Sequence, residues 1–171
     1  MKCLAKIAVL LLSVVALKGG AQAAPESRPQ GTPAGGVWTD PSTGLMWAGR
    51  DNGKDVSWKG AVNYCHDLRL AGYSDWRLAT LAEFGTIFDR NANAPGSAGS
   101  GKDSLFTYRV KGNLFLTGDE WSSERRKDDR GRPNGYAWYF DFNEGTSKND
   151  PIGFLYSHSL MRALCVRGSH K

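Results

Sequence analysis

The sequence lacks the short motifs that mark several large classes of enzyme. It contains no Gly-x-Ser-x-Gly, no His-Glu-x-x-His and no P-loop, so nothing indicates a serine hydrolase, a zinc protease or a nucleotide-binding enzyme. The three histidines are scattered along the chain, and no partner pattern marks one of them as a catalytic base. We therefore expect a protein that is not an enzyme and that needs no cofactor or metal.

Long hydrophobic runs are also scarce, and the single one lies near the N-terminus. Residues 7–17 are apolar and follow Lys2 and Lys6, but this run is shorter than the ~20 residues of a membrane span. Small residues follow at 21–24, as at a signal peptidase site. The pattern predicts a signal peptide over residues 1–23, or 1–24, and an extracytoplasmic mature protein that is periplasmic or secreted.

No large excess of charge remains once that segment is removed. The full chain has a formal net charge of +5, and the predicted signal peptide carries three lysines and no acidic residue. The mature chain is therefore at +2, which gives no indication of nucleic-acid binding. Because no second apolar run exists, we expect no membrane span after cleavage.

Cysteine is rare, and no Cys-x-x-Cys pair occurs among the three cysteines. Cys3 belongs to the predicted signal peptide, which leaves Cys65 and Cys165 in the mature chain. An even pair in an exported protein favours a disulfide over a redox pair or metal ligands, whose cysteines are usually closely spaced. We expect a structural Cys65–Cys165 bridge.

The mature chain divides into a linker, one domain and a short tail. Residues 24–36 are rich in proline and glycine and contain no large apolar side chain, which is typical of a flexible linker. We expect one globular domain over residues 37–168 and a tail over 169–171.

Two helices are predicted in the first half of the domain, after a hairpin of strands 37–40 and 45–48. The first begins at Trp58 after the N-cap Ser57, because apolar residues recur there at helical spacing. The second begins after Thr80, which forms a capping box with Glu83.

The remainder is expected to be a surface loop followed by strands. Residues 89–103 predict a long loop, in which Asp89, Asn91 and Asn93 offer a structural calcium site but more often form a simple turn. Alternating aromatic residues at 136–142 and an apolar segment at 161–167 predict strands. Early helices followed by antiparallel strands indicate an α+β fold.

Several side chains near Trp76 are expected to be structural. Asp75 and Arg77 flank this tryptophan and are interpreted as a partly buried ion pair that holds the connection in place. At least four of the six tryptophans are expected in the core.

These elements occur in an order that resembles the Lcl C-terminal domain family, named for the C-terminal domain of a bacterial collagen-like adhesin. The resemblance covers about residues 37–168. It depends on Thr43-Gly-Leu-Met-Trp47, Trp58, Tyr64-Cys65, Gly72-Tyr-Ser-Asp-Trp-Arg-Leu78, Trp121-Ser-Ser123, Ala137-Trp138 and Cys165-Val-Arg-Gly168. It implies a C-type-lectin-like fold, similar also to the sulfatase-modifying domains. The sequence departs from the family at Ala79, where proline is usual, and has no collagen-like Gly-x-y stretch.

The segment 124–132 is the candidate binding surface. It contains five cations and three acidic residues between two predicted strands, and the alternatives are a solvated hairpin tip or a contact for an anionic polymer. The candidate ligand-binding residues are Arg125, Arg126, Arg130 and Arg132, with Trp121 and Tyr136 as rings for stacking.

The sequence thus predicts an exported, non-catalytic domain that binds a cell-surface glycan or protein, with an anionic polysaccharide or a surface protein as its partner. One alternative is an enzyme related to the sulfatase-modifying domains or a glycosidase. The other is a structural protein of the envelope.

Overall fold

The computed structural model describes residues 36–97, 105–153 and 161–168. The predicted signal peptide, nearly all of the predicted linker and the tail lie outside these residues. The described chain combines two helices with ten short strands and one 3-10 turn, so the α+β class is confirmed.

The elements follow one another in a simple order along the chain. They are β1 (Val37–Thr39), β2 (Met46–Ala48), α1 (Trp58–Asp67), β3 (Arg77–Leu78), α2 (Leu81–Ile87), β4 (Ala94–Ser97), β5 (Leu105–Tyr108), the 3-10 turn Lys111–Asn113, β6 (Asp119–Lys127), β7 (Pro133–Asp141), β8 (Thr146–Pro151), β9 (Met161–Arg162) and β10 (Cys165–Arg167).

The strands form two four-stranded sheets and a separate hairpin. The first sheet has the order β1-β2-β10-β3 and the second β8-β7-β6-β9, while β4 pairs only with β5. All pairs are antiparallel except β6 with β9. The C-terminal segment therefore serves both sheets, first through β9 and then through β10.

Both predicted helix starts are confirmed by their caps. The Ser57 hydroxyl accepts a hydrogen bond from the Gly60 amide at 3.2 Å. At α2, the Thr80 hydroxyl accepts from the Glu83 amide at 3.2 Å, and the Glu83 carboxylate accepts from the Thr80 amide at 2.9 Å. Each cap satisfies amides that the first helical turn leaves without a partner.

Two hydrophobic clusters form the core, and β7 contributes to both. Phe140 packs with Phe84 of α2 in one cluster, whereas Tyr139 packs with Trp121 in the other. Alternate residues of a strand point to opposite faces, so the end of β7 is buried on both sides. Trp47, Trp76 and Trp121 are buried, while Trp38 and Trp58 pack against the clusters. This confirms the expectation that at least four tryptophans belong to the core.

The predicted disulfide is present and joins α1 to β10. Cys65 and Cys165 are fully buried, with Cα atoms 5.4 Å apart. The bridge closes a loop of 100 residues, for which chain entropy alone gives a stabilisation of about 4–5 kcal/mol.

Two expectations about local structure need correction, while the simple turn favoured at Asp89 agrees with the structure. The predicted loop 89–103 contains β4, which pairs with β5 although it includes Pro95; an edge strand tolerates proline because one side of it donates no hydrogen bonds. The final strand is broken between Arg162 and Cys165, since its two halves join different sheets. Asp89 accepts a hydrogen bond from the Asn91 amide at 2.9 Å, as in a simple turn.

The expected Asp75–Arg77 ion pair is wrong. Asp75 pairs with Arg167 at 2.7 Å, and Arg77 pairs with Glu83 at 2.6 Å. β3 places Arg77 beside the start of α2, while β10 brings Arg167 to Asp75. Both carboxylates are held below their usual pKa range; for Asp75 the main cause is the hydrogen bond from Arg167. For Glu83 burial is the largest single effect and raises the pKa, but the hydrogen bonds from Arg77 and Thr80 and the charge of Arg77 together outweigh it.

Candidate functional site

The β6–β7 hairpin carries the charged segment predicted as a binding surface. We call residues 124–132 the arginine hairpin. The strands pair with Arg125 opposite Ala137 and Lys127 opposite Pro133, and two irregularities in register lie between Trp121 and Lys127. Such bulges increase the twist of a strand pair and redirect its side chains. The prediction that 124–132 lies between two strands is right only for residues 128–132, because residues 124–127 form the end of β6.

Asp128 organises the tip of the arginine hairpin. One of its carboxylate oxygens accepts from the amides of Arg130 and Arg132, each at 2.9 Å. The other accepts from the Arg132 guanidinium at 3.0 and 2.9 Å. These hydrogen bonds, with the one from the Arg132 amide as the largest, lower the pKa of Asp128. Arg132 is thus already committed to a carboxylate.

The other arginines of the hairpin occupy different environments. The Arg125 guanidinium lies 5.6 Å from the centre of the Trp58 ring, and that of Arg126 lies 5.9 Å from the Tyr136 ring. Arg130 is exposed at the tip. Among the residues that the structure describes, none forms an ion pair with Arg126, Lys127 or Arg130.

One acidic residue of the hairpin has a structural role that the sequence did not reveal. A carboxylate oxygen of Glu124 accepts a hydrogen bond at 2.9 Å from the amide of Leu81, the first residue of α2. Carboxylates are favoured at this position because the first amides of a helix have no partner within it. Of the three acidic residues, only Asp129 has no hydrogen bond within the described structure.

Trp121 does not belong to the exposed surface, and the expectation that it offers a ring for stacking is corrected. Its side chain is 0% exposed, its indole nitrogen donates to the Val56 carbonyl at 2.8 Å, and its ring meets Tyr139 edge to face. The inward side of β6 places it in the core. Tyr136 of β7, in contrast, is exposed and remains available for stacking.

A groove that the sequence analysis missed adjoins the root of the arginine hairpin. We call it the Trp58 groove; it has a volume of about 500 Å³. Its lining comprises Trp58, Val62, His66, Trp76, Arg77, Leu78, Thr80, Glu83 and Ser123. Ser123 leads directly into the hairpin, and Arg125 stacks on Trp58, so the groove and the hairpin form one continuous surface. The signal in the sequence was the helical spacing of Trp58 and Val62 in α1, which was interpreted only as part of a core-facing surface.

Arg125 marks the boundary between groove and hairpin. Its Nε donor is buried and has no acceptor among the described residues, while its guanidinium lies against Trp58. Arginine on an aromatic ring keeps its remaining N–H groups available for planar anions such as carboxylate or sulfate. The Arg125 guanidinium is thus held in place at the groove, with N–H groups other than the buried Nε left for an external acceptor.

A second concentration of charge lies inside the domain. We call Asp51, Asp55, Thr117, Glu120 and Arg162 the Asp51 cluster. Arg162 donates to Asp55 and, at 2.7 Å, to the Thr117 hydroxyl, which in turn lies 3.0 Å from both carboxylate oxygens of Asp51. The Asp51 carboxylate also accepts from the amides of Thr117 and Gly53. Four members of the cluster, Asp51, Asp55, Thr117 and Arg162, therefore form a continuous network of hydrogen bonds.

Glu120 is the unusual member of this cluster. It is 0% exposed, and neither of its oxygens accepts a hydrogen bond from a donor in the described structure. Burial, followed by the charge of Asp51, raises its pKa well above the usual range. Burial raises the pKa of Asp51 as well, although hydrogen bonds from Thr117 and Gly53 oppose this effect. Burial and the neighbouring Asp51 carboxylate therefore both favour the protonated form of Glu120.

The described residues show no arrangement typical of a metal centre. Within residues 36–97, 105–153 and 161–168, no group of three or more His, Cys, Asp or Glu side chains is placed to hold a metal ion. Of the three histidines, His66 is exposed beside Asp67, and His158 and His170 lie outside the described residues. In the same part of the chain, no helix has the length and apolar character needed to cross a membrane.

The comparison with protein families agrees with the arrangement of strands, tryptophans and cysteines. The model of the Lcl C-terminal domain matches residues 36–167. The chain belongs to the Lcl C-terminal domain family. No curated protein matches the chain.

Proposed function

We propose that this Lcl C-terminal domain is an exported, non-catalytic binding module with the C-type-lectin-like fold that its family resemblance implies, and that its ligand is an anionic polysaccharide. One observation carries the proposal. Arg126, Lys127 and Arg130 form no ion pair in the described structure, and they belong to the hairpin whose strand β6 reaches the Trp58 groove through Ser123 and Arg125.

The balance of charge on the arginine hairpin favours an anionic ligand. Glu124 is engaged at the N-terminus of α2, and Asp128 is engaged by Arg132. The cations that remain outnumber the single unengaged acidic residue, Asp129. Several guanidinium groups spaced along one surface suit a polymer that repeats its carboxylates or sulfates, since each exposed pair adds little by itself.

The groove favours a polysaccharide over a folded surface protein as the ligand. Its walls combine two tryptophans with the Arg77–Glu83 pair. Aromatic side chains with flanking polar groups suit the faces and hydroxyl groups of sugar rings. A protein ligand would require a broader surface of about 800 Å² on this side.

The state of the cysteines supports a non-catalytic role. Sulfatase-modifying domains, to which the family is similar, depend on reactive cysteines. Here Cys65 and Cys165 are joined to each other and buried, and a thiol that is absent cannot act as a nucleophile.

The experiment compares retention on immobilised heparin with retention on uncharged dextran. The test variant is Arg126→Ala/Lys127→Ala/Arg130→Ala. The matched control is Lys54→Ala/Arg90→Ala/Arg109→Ala, which removes the same charge from exposed positions outside the hairpin. We expect weak, salt-sensitive retention on heparin alone, because exposed charges are screened by salt. We expect the hairpin variant to lose this retention on heparin and the control variant to keep it.

Two results would contradict the proposal. If both triple variants elute at the same reduced salt concentration, net charge and not the hairpin determines retention. If the unaltered domain passes through heparin and dextran alike, the hairpin is a solvated tip without a binding role.

A further inference from the structure

A second recess lies on the other flank of α1, away from the arginine hairpin. It has a volume of about 440 Å³, within the range of about 300–1,000 Å³ common for small-molecule sites. Its lining comprises Gly36, Ala48, Gly49, Arg50, Tyr64, Leu68, Leu70 and Phe115. We call it the Arg50 pocket.

The Arg50 pocket is separate from the Trp58 groove. Tyr64 and Leu68 line the pocket, whereas Trp58, Val62 and His66 line the groove. With 3.6 residues per turn, these two sets lie about 140° apart around α1, and the buried Ala61 and Cys65 lie between them. A ligand in one recess therefore makes no contact with the other.

The floor of the pocket is rigid backbone whose hydrogen bonds are satisfied. The Gly49 amide donates to the Gly36 carbonyl at 2.6 Å, and the Phe115 amide donates to the Gly49 carbonyl at 2.9 Å. A Cβ atom on Gly49 would approach the Gly36 oxygen to 2.8 Å, so this close approach requires glycine. These backbone groups of the floor therefore contribute to the shape of the pocket, and the Gly49 and Phe115 amides are not available to a ligand.

The walls are apolar, with two polar groups at the opening. Leu68, Leu70 and Phe115 are half-buried, so part of each side chain remains in contact with solvent. Arg50 is exposed, and its guanidinium lies 5.4 Å from the centre of the Phe115 ring. Tyr64 is 36% exposed. In the described structure neither the Arg50 guanidinium nor the Tyr64 hydroxyl has an ion-pair or hydrogen-bond partner.

The charges around the pocket favour an anion over a cation. The Arg50 charge is close enough to Tyr64 to act on its pKa, and so are Asp51 and Glu120. Asp51, however, is only 3% exposed, and its oxygens already accept from Thr117 and Gly53. Glu120 is buried and protonated. The accessible charge is therefore the guanidinium alone, and burial keeps the Tyr64 hydroxyl protonated as a second donor.

We propose that the Arg50 pocket binds a small monocarboxylate with an apolar body, whose carboxylate contacts Arg50 and Tyr64 and whose body lies against Leu68, Leu70 and Phe115. A guanidinium presents paired N–H groups that match the two oxygens of a carboxylate. The phenolic hydroxyl adds a neutral donor on the opposite wall. Neither the fold nor the proposed polysaccharide surface requires these features.

The test uses 4-phenylbutanoate as the probe, with 4-phenylbutan-1-ol and 4-phenylbutylamine as matched compounds that keep the same apolar body. Binding is followed by chemical shifts of the backbone amides in ¹H–¹⁵N spectra. We expect 4-phenylbutanoate to shift the amides of Gly49, Tyr64 and Phe115, and to bind at least tenfold more tightly than either matched compound.

Variants separate the head group from the apolar body. We expect Arg50→Ala to lower the affinity for 4-phenylbutanoate at least tenfold, so that the acid no longer binds more tightly than the alcohol. Tyr64→Phe should lower the affinity for 4-phenylbutanoate a few-fold, since only one neutral donor is lost. Arg90→Ala, an exposed arginine elsewhere, should leave binding unchanged. The spectra of each variant also report whether it remains folded.

The outcome is distinguishable from that of the polysaccharide proposal. The triple hairpin variant should bind 4-phenylbutanoate normally, and Arg50→Ala should elute normally from heparin. Equal binding of acid and amine, an unchanged affinity in Arg50→Ala, or shifts confined to residues outside the pocket would each overturn the inference.

Discussion

Charged side chains gather in two parts of the domain, the arginine hairpin and the Asp51 cluster, which differ in their access to water. In the cluster, Arg162 and Glu120 are buried, and each charge is balanced by a neighbour or removed by protonation. In the hairpin, Arg126, Lys127 and Arg130 are accessible and need no partner. Buried charges must be compensated within the protein, whereas exposed charges are compensated by solvent and remain available to a ligand.

The difference predicts a division of roles. Substitutions in the cluster should affect the free energy of unfolding, because they leave an uncompensated group in the interior. Substitutions in the hairpin should affect ligand binding and leave stability nearly unchanged. Helix α1 supports both regions, since Trp58 lies under Arg125 and Cys65 anchors the helix to β10, which follows Arg162.

The largest expected effect comes from removing the Cys65–Cys165 disulfide, which joins α1 to β10. Cys165→Ser should lower the free energy of unfolding by about 2–5 kcal/mol, because the unfolded chain regains the freedom of a long loop. Urea denaturation measures the change. The double variant Cys65→Ser/Cys165→Ser should lose the same amount, which shows that a free thiol is not responsible. A loss below about 1 kcal/mol would mean that the bridge contributes little.

A smaller loss is expected when the cluster alone is broken. Arg162→Met keeps the apolar stem but removes the guanidinium, which should cost about 3 kcal/mol, the lower end of the range for a broken buried pair. The lower end applies because Asp55 is 42% exposed and can be hydrated. The triple hairpin variant should show an unchanged urea midpoint. Equal losses in the two variants would contradict the proposed division.

The protonation of Glu120 predicts that stability depends on pH. A carboxyl group whose pKa is raised by folding contributes its full stability below its unfolded pKa and loses it as pH rises. Burial, with Asp141 next, raises the pKa of Asp119 to about 6, so this group has largely ionised in the folded state above that pH. Above about pH 6.5, where Asp119 has ionised, the stability of the wild type should therefore continue to fall, by up to about 1.4 kcal/mol per pH unit, until Glu120 itself ionises.

Glu120→Gln tests the origin of this slope. The amide is close in size to the carboxyl group and cannot ionise, so the variant should unfold with a flatter pH profile over the same range. The triple hairpin variant should keep the slope of the wild type. If the pH dependence of the unfolding free energy persists in Glu120→Gln, a group other than Glu120 must cause it.

The smallest expected effect concerns the hairpin tip. Asp128→Ala should release Arg132 from its carboxylate partner and raise the salt concentration at which the domain leaves heparin. Asp129→Ala removes the same charge without releasing an arginine, so its shift should be smaller. Identical shifts in the two variants would show that Arg132 is available to a ligand even when it is paired with Asp128.

Much of the local structure could be predicted because its causes are local. Ser57 and Thr80 cap helices through neighbours three residues away, and the alternation at 136–142 reflects the period of a strand. The position of Trp121 could not be predicted in this way. It lies at the start of a strand in sequence, but which face of β6 is buried depends on α1 and on Tyr139.

The sequence by itself determined the α+β class, the two helix starts, the family and the cysteine pair, since each depends on short-range pattern or on residues that have no other partner. Only the tertiary structure decided the pairing of Asp75 with Arg167, the protonation of Glu120, and the position of Trp58 beside the arginine hairpin. These features join residues far apart in the chain, and their energies depend on burial and on distances that exist only after the sheets have assembled.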